Sequence, residues 1–360
     1  MKIALFHNLP PGGAKRTVYE QAKYLSQNHE LHLFQLSQTN EEFLSLYPFV
    51  KSIKTYPFSL SPNRILADYQ KFFILPRIHR QIARDAKVAE VALIHADRYT
   101  QTPFLLQYLK IPNVYFCQEM LRIAYESELA FNEPVNFLKR WYELGTRQIR
   151  KLIDQQNLKS AGQILVNSDF TGQNVYKATK LKSTTCHLGV DPNVFRAQKE
   201  PKKNQILFVD QKEKIAGFAL LSQTLNLIPS RIRPTLKILD FKNSKATIAD
   251  SSQVAREYSR SLVTVCTSHN EPFGLAPIES MACGTPVLAV AEGGFKETVV
   301  DDVTGWLLPR SPEAFAKKLL YLIHHPAKAR QMGLAGRRHV VKHFTWGQHM
   351  KILDKALLHV

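Results

Sequence analysis

Two carboxylates eight residues apart, Glu271 and Glu279, stand in the most informative stretch of the chain, Ser268 to Glu297. Glu271 precedes the turn Pro272-Phe273-Gly274, and Glu279 lies inside the helix that this turn opens. An ionised carboxylate only accepts hydrogen bonds. At this spacing each can hold a pair of vicinal hydroxyls, one pair on a sugar and the other on a ribose. The amides of Phe273, Gly274 and Leu275 project from the helix N-terminus, where an anion or a sugar hydroxyl is stabilised. On the two acids alone, a Glu279 that simply pairs within its own helix remains an open alternative. A second backbone device lies near the start of the chain, where Pro11-Gly12-Gly13-Ala14 follows the first apolar run. By itself this Gly-Gly pair is a turn signal. Neither His95 nor His187 has the acid–histidine company of a metal site.

The stretch resembles the E-x7-E region of the retaining glycosyltransferases of family 4. The likeness runs through Phe273-Gly274, Met281-Ala282-Cys283-Gly284-Thr285-Pro286-Val287, Gly293-Gly294, Gly305 and the closing Phe344-Thr345-Trp346. Weaker echoes are Asn167-Ser168-Asp169-Phe170-Thr171, Leu188-Gly189-Val190-Asp191 with Phe195, and the Gly12-Gly13 loop. The resemblance implies a GT-B fold and transfer of a hexosyl group, with retention, from a nucleotide-sugar donor. The acceptor it implies is a glycan, a lipid-linked molecule or a small molecule, as in polysaccharide biosynthesis, with no metal cofactor. It puts Glu271 on the transferred sugar, Glu279 on the ribose, and Gly13 with the amides of Phe273, Gly274 and Leu275 around the donor. Gly12 falls on the acceptor side; Arg122, a helical turn after Gln118, is read either as an acceptor-side or phosphate contact or as a surface residue.

Three departures from the family pattern bear on turnover. Where relatives carry an Arg and a Lys for the diphosphate, alignment places Gln211 and Ala216; Lys212 and Lys214 in the same loop are the candidate replacements. Relatives often have a histidine facing the donor sugar where this chain has Gln118, which hydrogen-bonds but does not exchange a proton near neutral pH. The segment between Leu239 and Ser251 is too short for a usual helix and strand. The alternative these changes raise is a degenerate GT-B protein that binds a nucleotide sugar or a partner without turnover.

Positioning such a site requires alternating strands and helices. Short apolar runs at Lys2–His7, Leu31–Leu36, Val91–His95, Asn113–Cys117, Gln163–Asn167 and Thr184–His187 alternate with longer amphipathic stretches. The pattern restarts at Gln205–Val209, Thr235–Leu239, Leu262–Cys266 and Pro286–Val290. This is the signature of an α/β chain with mainly parallel sheets. The expected architecture is two Rossmann-like doubly wound domains with a cleft between them. The first spans 1–190, a polar linker 191–204 and the second 205–342; residues 343–360 form a helix returning to the first domain. The spacing predicts single helices over Arg64–Lys87 and Ile215–Leu227, and one over Thr102–Leu109. Ser311-Pro312-Glu313 is a strong helix start.

The 360 residues are 44 % hydrophobic and 22 % charged, a globular composition. With 48 Lys and Arg against 30 Asp and Glu, the net charge of +18 attracts anions: nucleotide sugars, nucleic acid or anionic headgroups. Stacking motifs and a nucleic-acid module are lacking, so nucleic acid is not an expected partner. Four scattered cysteines give neither a disulfide framework nor zinc spacing. No apolar run is long enough to span a bilayer, and the first residues read as a strand instead of a leader. The expected place is the cytoplasm, with the inner face of the membrane as a candidate peripheral site. Arg64–Lys87 is basic with an apolar band at Phe72-Phe73-Ile74-Leu75, interrupted by Pro76. Such a segment either lies on an anionic membrane or packs as a core helix with a solvated face.

Overall fold

The computed structural model describes residues 1–39, 41–126, 137–210, 215–240 and 251–360. Contacts divide the chain into two compact units, one of Met1–Cys186 with Met350–Val360 and the other of His187–His349. The sequence reading set the corresponding boundaries at 190 and 343.

In the first unit seven strands form one sheet: β1 (Lys2–Asn8), β2 (Glu30–Leu36), β3 (Ser52–Tyr56), β4 (Val91–Asp97), β5 (Asn113–Cys117), β6 (Gln163–Val166) and β7 (Thr184–Thr185). Their order is β3-β2-β1-β4-β5-β6-β7, and every pairing is parallel. A parallel sheet covered on both faces buries successive side chains, so its strands read as unbroken apolar runs. All seven residues of β4 are buried, as are all five of β5. β3 had no such signal: four of its five residues are exposed at the sheet's edge.

The second unit repeats the plan with five strands: β8 (Gln205–Val209), β9 (Thr235–Leu239), β10 (Val263–Cys266), β11 (Val287–Val290) and β12 (Gly305–Leu308). Here the order is β12-β11-β10-β8-β9, again all parallel. Ser311 caps the helix Pro312–His324 as its sequence implies, accepting from the Ala314 amide. Ser168 does the same for Asp169–Thr179.

Three helices differ from expectation. Arg64–Lys87 is not uniform: Arg64–Tyr69 passes through a π-helical turn, Gln70–Ile74, into Leu75–Asp85. Pro76 has no amide to donate and its ring crowds the preceding turn; the wider turn lies just before it. Thr102–Leu109 contains only the short turn Leu105–Tyr108. The helix expected at Ile215 begins at Phe218, because Gly217 takes φ 70° and redirects the chain first. The shortened segment after Leu239 falls largely in 241–250, outside the described residues.

The helix Pro326–His343 approaches Leu275–Ala282 closely through glycine. A Cβ on Gly333 would come within 2.0 Å of the Gly284 carbonyl oxygen, and one on Gly336 within 2.9 Å of Met281. Gly145, in the helix Phe137–Lys159, meets nothing within 4 Å. Gly333→Ala is therefore expected to lower stability by about 1–3 kcal/mol through overpacking against backbone. Gly145→Ala is expected to raise it by up to about 1 kcal/mol through helix propensity. Urea unfolding of the two variants checks both signs.

Candidate functional site

In open parallel sheets ligands bind beyond the carboxyl ends of the strands, where the strand order reverses. In the second unit that point lies between β8 and β10. The two strand ends are joined there: Ser268, just past β10, donates its hydroxyl to Asp210, just past β8, at 2.9 Å. The Thr267 hydroxyl donates to the Ala216 carbonyl at 2.9 Å, and the His269 amide to the Ile215 carbonyl at 2.8 Å. Ala216, at the position aligned with the family's lysine, is buried beneath this junction. Gln211, Lys212 and Lys214 lie outside the described residues.

The Glu271 turn is shaped by backbone. Asn270 has φ 46°, and the Glu271 carbonyl accepts the Gly294 amide at 2.8 Å. A Cβ on Gly293 (φ 56°) would fall 2.4 Å from the Glu271 oxygen, and one on Gly294 2.5 Å from Phe273 Cα. Gly274 (φ 95°) then opens the helix Leu275–Ala282; a Cβ there would press within 2.9 Å of the Phe295 ring. Arg310 closes the arrangement from behind. Its guanidinium pairs with Glu292 at 2.6 and 2.9 Å and donates to the Thr267 and Ser268 carbonyls at 2.7 and 3.3 Å. This forked geometry, using four donor contacts, fixes the strand-end loop more firmly than a single ion pair would.

Glu271 is partly exposed at this turn, whereas Glu279 is 2 % exposed in the helix it opens. Glu279 Oε2 accepts the Tyr258 hydroxyl at 2.9 Å. Burial and the Glu279 charge hold the Tyr258 phenol protonated well beyond its ordinary range. Tyr258, from the helix Ser251–Arg260, is in turn fixed by the Thr285 hydroxyl donating to its carbonyl at 2.7 Å. Glu279 is thus bonded from a neighbouring helix. Phe273 is buried, its ring 5.8 Å from those of His187 and Phe344. The structure thus gathers Glu271, Phe273, Gly274, Leu275 and Glu279 at one helix start. Among the described residues no cluster of three His, Cys, Asp or Glu could hold a metal.

In the first unit the order reverses between β1 and β4. Asn8 and Asp97, at their ends, are joined by an amide donating to a carboxylate at 2.8 Å. Gly12 (φ 149°, ψ −170°), in a region open to glycine alone, caps the helix Gly13–Leu25. Gln118 is nearly buried, and its side-chain amide donates to the Ala14 carbonyl at 3.1 Å, so it braces the first turn behind Gly12 and Gly13. Arg122 makes a two-pronged pair with Glu126, at 2.7 and 2.9 Å.

Sequence reasoning missed the charged group beneath this turn. Lys15 is fully buried, with Nζ bonded to Glu41 and 3.1 Å from His7 Nε2. His7 Nε2 is 3.3 Å from Glu41, whose other oxygen accepts the Leu46 amide at 2.7 Å. Burial, with the Lys15 charge beside it, lowers the His7 pKa to about 4. Burial alone would raise Glu41, but bonds from His7, Lys15 and Leu46 bring it to about 2. One signal could have revealed Lys15: it continues the buried stripe of Val18, Ala22 and Leu25 on its helix.

Protonation at this cluster gives a signed expectation. Between pH 6.5 and 4 the unfolded chain takes up a proton on His7 that the folded chain refuses, so stability falls as pH falls. His79 and His349, lowered by burial to about 3 and about 4, act in the same direction. Asp97, raised by burial to about 6, opposes them. His7→Gln should flatten the acid slope by up to about 1.4 kcal/mol per pH unit. Thermal unfolding from pH 6.5 to 4.5 measures it, and the slope is the readout, not the absolute stability.

Residues 242–339 match the family model described as glycosyl transferases group 1. The D-inositol 3-phosphate glycosyltransferase of Segniliparus rotundus is 27 % identical over 53 % of this chain and 52 % of its own length. The chain thus spans about half of that relative. The alpha-1,3/1,6-mannosyltransferase ALG2 of Mus musculus is 39 % identical over 23 % of this chain and 20 % of its own. Among solved structures, sucrose-phosphate synthase from Thermosynechococcus elongatus superposes with TM-score 0.72 at 19 % identity, over 98 % of this chain and 97 % of that one. Anabaena Alr3699/HepE, solved with UDP and glucose, superposes with TM-score 0.75 at 16 % identity over the whole of both. With two parallel-sheet units and full-length likeness to these proteins, the chain has the GT-B fold of glycosyltransferases.

Proposed function

We propose that the protein is a retaining glycosyltransferase that moves a hexosyl group from a nucleoside-diphosphate sugar to a glycan, lipid-linked or small-molecule acceptor. The observation that carries this reading is the Glu271 turn, held by Gly293 and Gly294 at the mouth of the helix bearing Glu279. Glu271 accepts from hydroxyls of the transferred sugar. Glu279, bonded to Tyr258, accepts from the ribose. The amides of Phe273, Gly274 and Leu275, at the positive end of their helix, face the diphosphate. Lys212 and Lys214 supply the cationic charge that Gln211 and Ala216 do not. In the chemical step the bond from the anomeric carbon to the diphosphate oxygen breaks. The acceptor oxygen bonds to the same face of that carbon, and its proton passes to the departing diphosphate. Gln118 acts by bracing the Gly12-Gly13 turn. The donor class agrees with the UDP and glucose in the Anabaena neighbour's structure.

One observation favours a second reading, binding without turnover. Ala216 is 1 % exposed, so no cation stands at that position, and loss of one charge-stabilising donor costs about 3–4 kcal/mol of barrier. Calorimetry with UDP-, GDP- and ADP-sugars separates the possibilities. One donor is expected to bind, and Glu271→Gln is expected to weaken it roughly ten- to hundred-fold by removing a charged acceptor. Tyr258→Phe, which removes one bond to Glu279, is expected to weaken it less. Release of nucleoside diphosphate with an acceptor, and a product of the donor's anomeric configuration, supports retaining transfer. Binding without release supports the second reading; no binding of any donor contradicts both.

A further inference from the structure

Two helices of the first unit present a surface that the fold itself does not use. On Arg64–Tyr69 and Leu75–Asp85 the buried positions are Ala67, Asp68, Leu75, His79, Ile82 and Ala83. Ile65, Leu66, Tyr69 and Phe73 point away from them into solvent, Ile65 by 71 % and Phe73 by 57 %. The π-helical turn between the two helices keeps Phe73 beside Tyr69, with ring centroids 5.2 Å apart. The helix Phe137–Lys159 carries a second exposed stripe, in which Phe137 and Trp141 pack edge to face at 6.0 Å and Leu144 and Leu152 follow at helical spacing.

The two stripes are brought side by side by bonds behind them. Buried Asp68 accepts the Tyr142 hydroxyl at 2.7 Å and the Arg150 guanidinium at 3.2 Å, while Arg64 pairs with Glu143 and lies 5.4 Å from the Tyr142 ring. These bonds also remove negative charge from the surface. Of the four carboxylates on these helices, Asp68 and Asp154 are buried, Glu143 is paired with Arg64, and Asp85 with Lys54 and the Tyr56 hydroxyl. The basic side chains stay outside. Arg77, Arg80, Arg84 and Lys87 continue the Tyr69–Phe73 stripe at steps of three or four residues, and all are exposed.

We propose that this two-stripe face docks on an anionic phospholipid surface, with the aromatic and aliphatic side chains in the headgroup boundary and the basic stripe on the phosphates. Contiguous exposed apolar side chains mark an interaction site. A flanking stripe of exposed cations, with the carboxylates of these helices buried or paired, selects an anionic partner. Among the described residues no helix is long and apolar enough to cross a bilayer, so the contact is peripheral. This proposal is independent of the donor chemistry, and its test uses no nucleotide sugar.

The test is co-sedimentation of the full chain with vesicles of phosphatidylcholine alone and vesicles that also contain phosphatidylglycerol. Binding is expected only to the second kind and is expected to weaken with salt. Arg77→Glu with Lys87→Glu should reduce it at least about thirty-fold. Phe73→Ser with Trp141→Ser should abolish the fraction that resists salt, and circular dichroism should show both variants folded. The same charge reversal in the second unit, Lys317→Glu with Lys342→Glu, should leave most binding intact. Equal binding to both vesicle types, or equal loss from either charge reversal, would overturn the proposal. So would self-association that is lost in Phe73→Ser with Trp141→Ser and is unaffected by vesicles, because the face would then join two copies of the chain.

Discussion

The backbone of Gly293 and Gly294 runs so close beneath the Glu271–Phe273 turn that a single added carbon would collide with it at about the length of a hydrogen bond or less. Most of what can be said about the second unit follows from that approach. The Gly294 amide donates to the Glu271 carbonyl, which fixes the backbone of the turn from which the Glu271 side chain projects. Gly274 completes the turn with a positive φ and starts the helix whose second turn carries Glu279. Arg310 binds the loops after β10 and β11 together, so the turn is held by neighbours on either side. For the donor proposed to bind here, a turn already fixed in this way lowers the ordering cost of binding.

The first unit uses a different means to the same end. A Cβ on its Gly12 would meet nothing within 4 Å among the described residues, and the turn is braced from behind. Lys15, His7 and Glu41 form a buried charged group under the helix, while Gln118 ties the end of β5 to the first helical turn. Breaking one partner of such a buried group strands the others and costs more than the intact group contributes. A charged cluster under a glycine turn therefore acts as a latch that holds one conformation.

What was legible in the sequence follows from these two mechanisms. Where a backbone must have glycine, the requirement leaves a trace, and Gly274, Gly293 and Gly294 could be read with the acids they serve. Strands such as β4 and β10 could be read because burial on both faces leaves apolar runs, Val91–Ile94 in β4 and a β10 whose one polar residue is Thr264. β3 could not be read, since four of its five side chains face solvent and only its backbone pairing with β2 defines it. The Lys15 group escaped notice because its partners lie 8 and 26 residues away, on a strand and a loop. The cross-helix bond to Glu279 comes from Tyr258, 21 residues earlier. Pro76 announced an interruption, but a π-helical turn and a kink have the same trace in sequence.

In the proposed donor site the glycine pair beneath Glu271 holds the binding turn in shape. Gly294→Ala probes this dependence, because it alters no group proposed to touch a ligand. Its affinity for the nucleotide sugar that the parent chain binds best should fall at least about ten-fold, with the second unit still folded by circular dichroism. Parent-like affinity in a folded Gly294→Ala chain would contradict the claim and separate the glycine frame from donor binding.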